Sequence, residues 1–388
     1  MRHSLSRLLA AAAALALLGS ASLANAQSDP FGALYGAAPG SPPAPDASSG
    51  RSGATSVSGA VGRSYANAQT GGAVSLAQLD LMPLDPPPMP VVLQAQSARY
   101  LKNRPRLAVA GYTLAFVQGA QASAYAGGSG TEWNQRRTQI ATRLVGLDDA
   151  AARALADEAY ADLVAQLEAA GFDVLTPDEM RNAAALSGLA RHDAPVGGKG
   201  VIDSRATKAW VAYGPEVLPP IKGHAFEQGF GVMAGPAATM AFGRASRDLD
   251  AIFLMPRLLI DHIDMESSGN AVYRGSASVD AELKFGLSRL SQVDFIWGNN
   301  SGGAMPGWFT MKGAYTPQPF GILTQTADRS DSVALHNALV SVGFNSAYRQ
   351  SLVYDVEVSP RRFAALTRSA FRGFNAALVA EIRKARGS

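Results

Sequence analysis

Apolar residues recur at helical spacing between Asp149 and Ala170: Ala156, Tyr160, Leu163, Leu167 and Ala170 share one face, while Asp157, Asp162, Gln166 and Glu168 fall off it. Asp148 is placed to cap this helix and Gly171 to stop it in a left-handed turn. Phe172–Leu175 reads as a short buried strand. Thr176-Pro177-Asp178-Glu179 then forms a capping box, with proline at the first helical position. A second helical stripe runs from Ser359-Pro360 through Phe363, Leu366, Ala370, Phe374, Leu378 and Ile382.

Elsewhere the period is two. Arg106–Gln118 reads as one buried strand, bounded by Pro105 and the Gly-rich "YAGGSG". A helix from about Ala237 leads into a strand from Ala251 to Met265. After the turn-like "SSGN", Val279, Ala281, Leu283, Phe285 and Leu287 alternate with polar neighbours, so the two strands form an antiparallel hairpin. A strand, a loop at Gly298–Gly307 and a return strand follow. Asp331 or Ser332 caps a helix to about Val342, and "SLVYDVEV" places Leu352, Tyr354, Val356 and Val358 on one face. The pattern predicts a mixed α/β (α+β) fold, with a layered sheet, an antiparallel hairpin and packed amphipathic helices.

Composition adds the ends. Arg2 and Arg7, an apolar run from Leu8 to Leu18, and Ala24-Asn25-Ala26 read as a secretory signal peptide over residues 1–26. Residues 27–95 are rich in Gly, Ala, Ser and Pro and read as a disordered tether, stiffened near Pro86–Pro88; Val74–Met82 is a short element able to dock. Residues 104–388 form the folded part, with a subdomain break expected near 190–235. No later run has the apolar length of a membrane-spanning helix. The chain has no cysteine, which excludes disulfides, a lipid anchor and thiol chemistry. Loss of Arg2 and Arg7 with the leader lowers the formal charge of +3 by two, so no nucleic-acid partner is expected.

Candidate chemistry is sparse. His192, His224, His262 and His336 are the histidines beyond the leader. His262 and Asp264 share a strand face, which is half of a metal site at most and is read as a solvent-facing surface. Arg191–Pro195 reads as a polar helix exit. His224 and Glu227 on a Gly-rich loop, with Ser129, are the candidate catalytic set of a hydrolase or small-ligand protein. There is no G-x-S-x-G motif and no phosphate-binding loop of Walker type.

The last helix is basic, with Arg361, Arg362, Arg368, Arg372, Arg383, Lys384 and Arg386 against Glu381. Trp297, Trp308, Phe309 and Tyr315 read as core, with Trp308 also a candidate contact. The leading expectation is an exported, non-enzymatic envelope protein. It would bind an envelope protein or an anionic envelope component through Arg368, Arg372, Arg383 and Trp308, without metal or cofactor, and its oligomeric state is open. The alternatives are the hydrolase or ligand-binding protein, and an oligomer inserting strands of Ala271–Leu323 into an outer membrane.

The run of strand, long helix, "GFDVL", Thr-Pro-Asp-Glu helix and "LDAIF" (Leu249–Phe253) resembles the small αβ domains of envelope-assembly proteins. These are the N-terminal domain of TolB, the curli-secretion lipoprotein and the lipoprotein activators of penicillin-binding proteins. The matching segments are Phe172–Glu179 and Leu249–Phe253. The resemblance implies a binding or assembly role. The chain departs from the group in lacking a lipidation cysteine.

Overall fold

The structure is a computed structural model that describes residues 57–58, 63–69, 75–102, 104–126, 136–202, 206–223, 236–269, 277–299, 301, 303–328 and 348–387. The expected leader, most of the tether and the helix at 331–342 lie outside these residues. The fold is α+β. Its strands are β1 (Val57–Ser58), β2 (Arg63–Gln69), β3 (Leu93–Gln96), β4 (Arg106–Val109), β5 (Thr113–Ala126), β6 (Arg136–Val145), β7 (Val196–Ile202), β8 (Ala206–Tyr213), β9 (Ala251–Gly269), β10 (Ala277–Leu287), β11 (Gln292–Gly298), β12 (Ala304–Met311), β13 (Ala314–Thr316), β14 (Gly321–Asp328) and β15 (Tyr348–Val358). The helices are α1 (Leu76–Asp80), α2 (Asp149–Ala169), α3 (Pro177–Arg181), α4 (Pro236–Asp248) and α5 (Pro360–Arg386).

The long strand β9 organises the sheet. On one side it pairs with β4 (at Ala251–Leu254) and then β5 (at Arg257–Ile260); on the other it pairs with β11 (at Phe253–Arg257) and then β10 (from Ile260 to Gly269). The single strand expected over Arg106–Gln118 is therefore two strands, and the second continues to Ala126. Pro256 supplies the reason. Leu254 turns its carbonyl toward Ala110 N (2.9 Å), so Pro256, two residues on, faces the same side and has no N–H to give. The neighbouring strand breaks there, at Ala110–Tyr112. On the opposite edge β10 hands over to β11 through a corner in which Ser291 Oγ accepts from Leu259 N (3.0 Å).

From β5 the sheet continues to β6, β15 and β14, with β8 and β7 as a branch. It curls so that β6 comes back over β10, where Thr138 Oγ1 donates to Ala277 O (3.4 Å). The expected hairpin is β9–β10, and the expected face of β15 (Leu352, Tyr354, Val356, Val358) is buried.

Helices α2 and α5 cover the core beside the sheet. Asp148 caps α2 through Ala151 N (2.6 Å), and Gly171 takes φ +85°. The whole predicted stripe of α5 is buried, and Phe363 packs edge-on to Phe285 at 5.2 Å between ring centroids. Asn375, fully buried, joins the layers. It accepts from Tyr112 Oη (3.0 Å) and donates to Ala159 O (3.1 Å) and Asp162 Oδ2 (2.8 Å). Helix α4 packs on the first half of β9 through Phe242 and Phe253 (5.2 Å).

Two expectations about domain organisation are corrected. From residue 75 onward the expected tether is ordered. Ser75 and Gln78 form a capping box for α1, Leu79, Met89 and Leu93 are buried, and Pro83–Pro90 runs along α5. Its anchors are largely main-chain groups, which a count of bulky apolar residues does not register. Nor do the described residues of 190–235 separate two subdomains. Leu218 and Ile221 belong to the main core, and β7 and β8 are stitched to β5.

Candidate functional site

The residues of interest within the described part of the chain fall into three groups, on β9, on the last helix and around a cleft. His224, Glu227 and Ser129 lie outside the described residues. The candidates on β9 are described, and the structure overturns their expected exposure. His262 is fully buried, and among the described residues neither ring nitrogen has a hydrogen-bond partner. Burial, with the nearby positive charge of Lys208 second, pushes its pKa down to about 3. The imidazole is therefore neutral across the physiological range. Beside it on β9, Asp261 is 2 % exposed and receives Lys208 Nζ at 2.5 Å; the same ammonium donates to Ile263 O at 2.6 Å. Asp264, the expected partner of His262, is half exposed and meets Lys284 Nζ at 3.4 Å. A period of two gives a side chain's face, but a second sheet layer decides whether that face is wet. Among the described residues no group of three His, Asp or Glu side chains is placed to hold a metal ion.

The basic last helix is the second group, and it is not a free cationic face. Arg368 grips Glu158 of α2 through Nε (2.6 Å) and Nη2 (2.8 Å), a contact that holds the Glu158 carboxyl below the usual carboxylate range. Arg372 Nη1 meets Asp85 at 3.2 Å. Arg362 is buried and donates to the carbonyls of Pro83 and Pro319 and to Gln318 Oε1. Arg386 donates to the carbonyls of Pro105 (2.8 Å) and Arg104 (3.0 Å). Arg383 is exposed. Trp308 is half-buried on β12, on the face opposite the fully buried Phe309. Trp297 is also half-buried and packs on Tyr100 at 5.2 Å. Tyr315, read as core, is 41 % exposed beneath Lys284.

The third group forms a cleft of about 220 Å³ that sequence reading did not assemble. It lies beside the start of α2, the end of β8 and the loop at Arg191–Pro195. Its apolar walls are Pro195, Pro215, Pro219 and Pro220, and Tyr213 stands within it. Each wall is tied down. Arg191 donates to Pro219 O (2.6 Å) and Ala110 O (3.0 Å), His192 N donates to Pro220 O (2.8 Å), and Glu216 N donates to Asp157 Oδ1 (2.7 Å). The Tyr213 hydroxyl donates to Asp149 Oδ1 at 2.6 Å. Burial first, then that bond, pushes the phenol well above its ordinary pKa, so it serves as a fixed donor and not as a base.

Arg153, Asp193 and Glu216 are exposed in this lining, and among the described residues their charged groups make no ion pair or side-chain hydrogen bond. The Arg191–Pro195 loop, expected to be a plain helix exit, thus forms one wall. The legible signal was the proline cluster in "YGPEVLPP" (Tyr213–Pro220), which is stiff enough to hold a concave surface.

The cleft is smaller than the roughly 300–1,000 Å³ typical of pockets for drug-sized ligands. It suits one side chain or a group of similar size. No protein-family model, no curated protein and no solved structure matches this chain.

Proposed function

We propose that this chain is an exported, non-enzymatic protein of the cell envelope that acts as a binding or assembly module. Its partner would place a side chain or small polar group in the cleft beside α2. The observation carrying this reading is the division of labour among the charges. Arg362, Arg368 and Arg386 are committed to internal partners, whereas Arg153, Asp193 and Glu216 stand unpaired among the described residues around a rigid concavity.

Export rests on the leader-like residues 1–26. Among the described residues no helix is long and apolar enough to cross a membrane. The outward positions of the β9–β10 hairpin include Asp264, Glu266, Glu282 and Lys284, where a lipid-facing strand would carry apolar side chains, so the inserting oligomer is not the reading favoured. A small-ligand protein would use the same cleft, within the same size limit.

The test is a photo-reactive residue placed at Glu216 or at Arg361 in the full chain, followed by irradiation of intact cells. We expect a discrete adduct with an envelope component from position 216 and none from 361. Equal labelling at both positions, or none at 216, would remove the cleft from the proposal. A fusion of residues 1–30 to a reporter that is active only after export tests the location separately.

A further inference from the structure

The segment Ser75–Gln96 is an arm held along α5, and its middle is a proline run. Between Asp85 and Pro90, four of six residues are prolines. Proline fixes its own φ near about −65°, and a residue that precedes proline is pushed to an extended ψ. No peptide bond among the described residues is cis. Asp85–Pro90 therefore winds as a polyproline II helix, with three residues per turn and three edges. Burial follows the same period. Pro86 and Met89, three apart, are buried, whereas Asp85, Pro87, Pro88 and Pro90 are exposed. The buried edge lies against α5. There Ser369 Oγ donates to Pro87 O (2.5 Å), Ser369 O accepts from Met89 N (2.9 Å), and Gly373 leaves room for Met89 O where a Cβ would collide with it.

A three-edged ridge gripped by one edge presents the other two. One carries Pro87 and Pro90, the other Asp85 and Pro88. Leu81 and Val92, near its two ends, are 86 % and 77 % exposed, more than any other large apolar side chain described. From Pro86 to Pro90 the only main-chain donor is Met89 N, and it is spent on Ser369. Pro88 O and Pro90 O have no partner among the described residues. The Asp85 side chain is 90 % exposed and meets Arg372 Nη1 at 3.2 Å, which leaves most of its acceptor sites open. The ridge thus offers apolar edges, acceptors and one negative charge. The complementary surface has flat aromatic rings that receive the proline edges, side-chain donors aimed at the carbonyls between them, and a cation at the Asp85 end. Because α5 already holds the ridge extended, the cost of ordering it is met before a partner arrives.

We propose that the two outer edges of Asp85–Pro90 are a docking surface for a partner protein with an aromatic-lined groove, bordered by a lysine or arginine that meets Asp85. This inference does not depend on the cleft. Pro87 lies against Ser369, more than two turns of α5 from Arg361, so a label at Arg361 does not reach it.

The test places a photo-reactive residue at the exposed Val92 of the full chain and irradiates it in an envelope extract of the native cells. Two peptides spanning residues 84–90 serve as competitors, one native and one carrying Pro87→Ala and Pro88→Ala. The expected result is a discrete adduct whose attachment site on the partner lies beside tyrosine or tryptophan. The native peptide should remove most of that adduct, and the alanine peptide should leave most of it. Asp85→Ala in the labelled chain should lower the yield severalfold at low salt and less at high salt. No adduct, an adduct that neither peptide displaces, or one that both displace equally overturns the proposal. So does an adduct with a second copy of this chain. The peptides compete against the native ridge, so misfolding of a variant cannot mimic any of these results.

Discussion

Arg362, Arg368 and Arg386 of α5 each end on an acceptor supplied from a distant part of the chain, whereas Arg153, Asp193 and Glu216 at the cleft are exposed and have no partner among the described residues. In the sequence the ranking is the reverse: α5 is the conspicuous run of like charge, and the cleft residues are scattered over three segments. The contrast teaches that density of charge along a chain says little about its availability. An arginine offers five donors in a rigid fork, and a carbonyl or carboxylate from another element can take them. A charge is available for binding when the fold brings nothing to meet it.

This contrast can be broken at its most committed point first. Asp261→Ala strands the Lys208 ammonium in a dry interior, and we expect a loss of about 3–5 kcal/mol of stability by denaturant titration. Replacing Lys208 and Asp261 together with apolar residues of similar volume should recover most of that loss. If Asp261→Ala cost little, the buried pair would be solvated and the division between committed and available charges would lose its clearest member.

Next comes acid. His262 has a folded pKa of about 3, below its unfolded value near 6.5, so the folded state binds fewer protons. The contribution is whole above about pH 6.5 and is lost progressively as pH falls toward 3. At pH 4.5 the loss should be on the order of 2 kcal/mol, and a His262→Leu chain should show a flatter stability profile between pH 6.5 and 4.5. An unchanged profile would mean that the imidazole is paired or wet.

A smaller effect is expected at Arg368→Ala, under about 1 kcal/mol, because its pair with Glu158 is partly exposed and screened by salt. The difference from wild type should shrink further in 1 M salt. The smallest is Glu216→Gln, expected to change stability by less than about 0.5 kcal/mol, since its carboxylate supports nothing in the fold. The same substitution should reduce photo-adduct formation from a neighbouring cleft position such as Asp193. A large stability change at Glu216 would make it a structural residue and leave the cleft without its clearest available charge.

Much of the fold was legible along the chain, for local reasons. The α2 and α5 stripes, the capping box at Thr176–Glu179 and the β9–β10 hairpin depend on side-chain period and on caps within a few residues. The arm was misread as tether because its anchors are the carbonyls of Pro83 and Pro87, which carry no side-chain signal. The break between β4 and β5 was hidden because its cause, Pro256, lies far along the chain. The cleft was invisible because Arg153, His192 and Glu216 become neighbours only when α2, the bridge at Arg191–Ile221 and the end of β8 meet.

By itself the sequence determined the α2 and α5 helices with their apolar faces, the β9–β10 hairpin, and that thiol chemistry is absent, because these follow from local periodicity and composition. Only the tertiary structure decided that His262 is dry, that Arg362, Arg368 and Arg386 of α5 are spent within the fold, and that a proline-walled cleft keeps charges unpaired among the described residues. Burial and pairing depend on what a second layer brings to a surface, and that layer comes from residues far away in the chain.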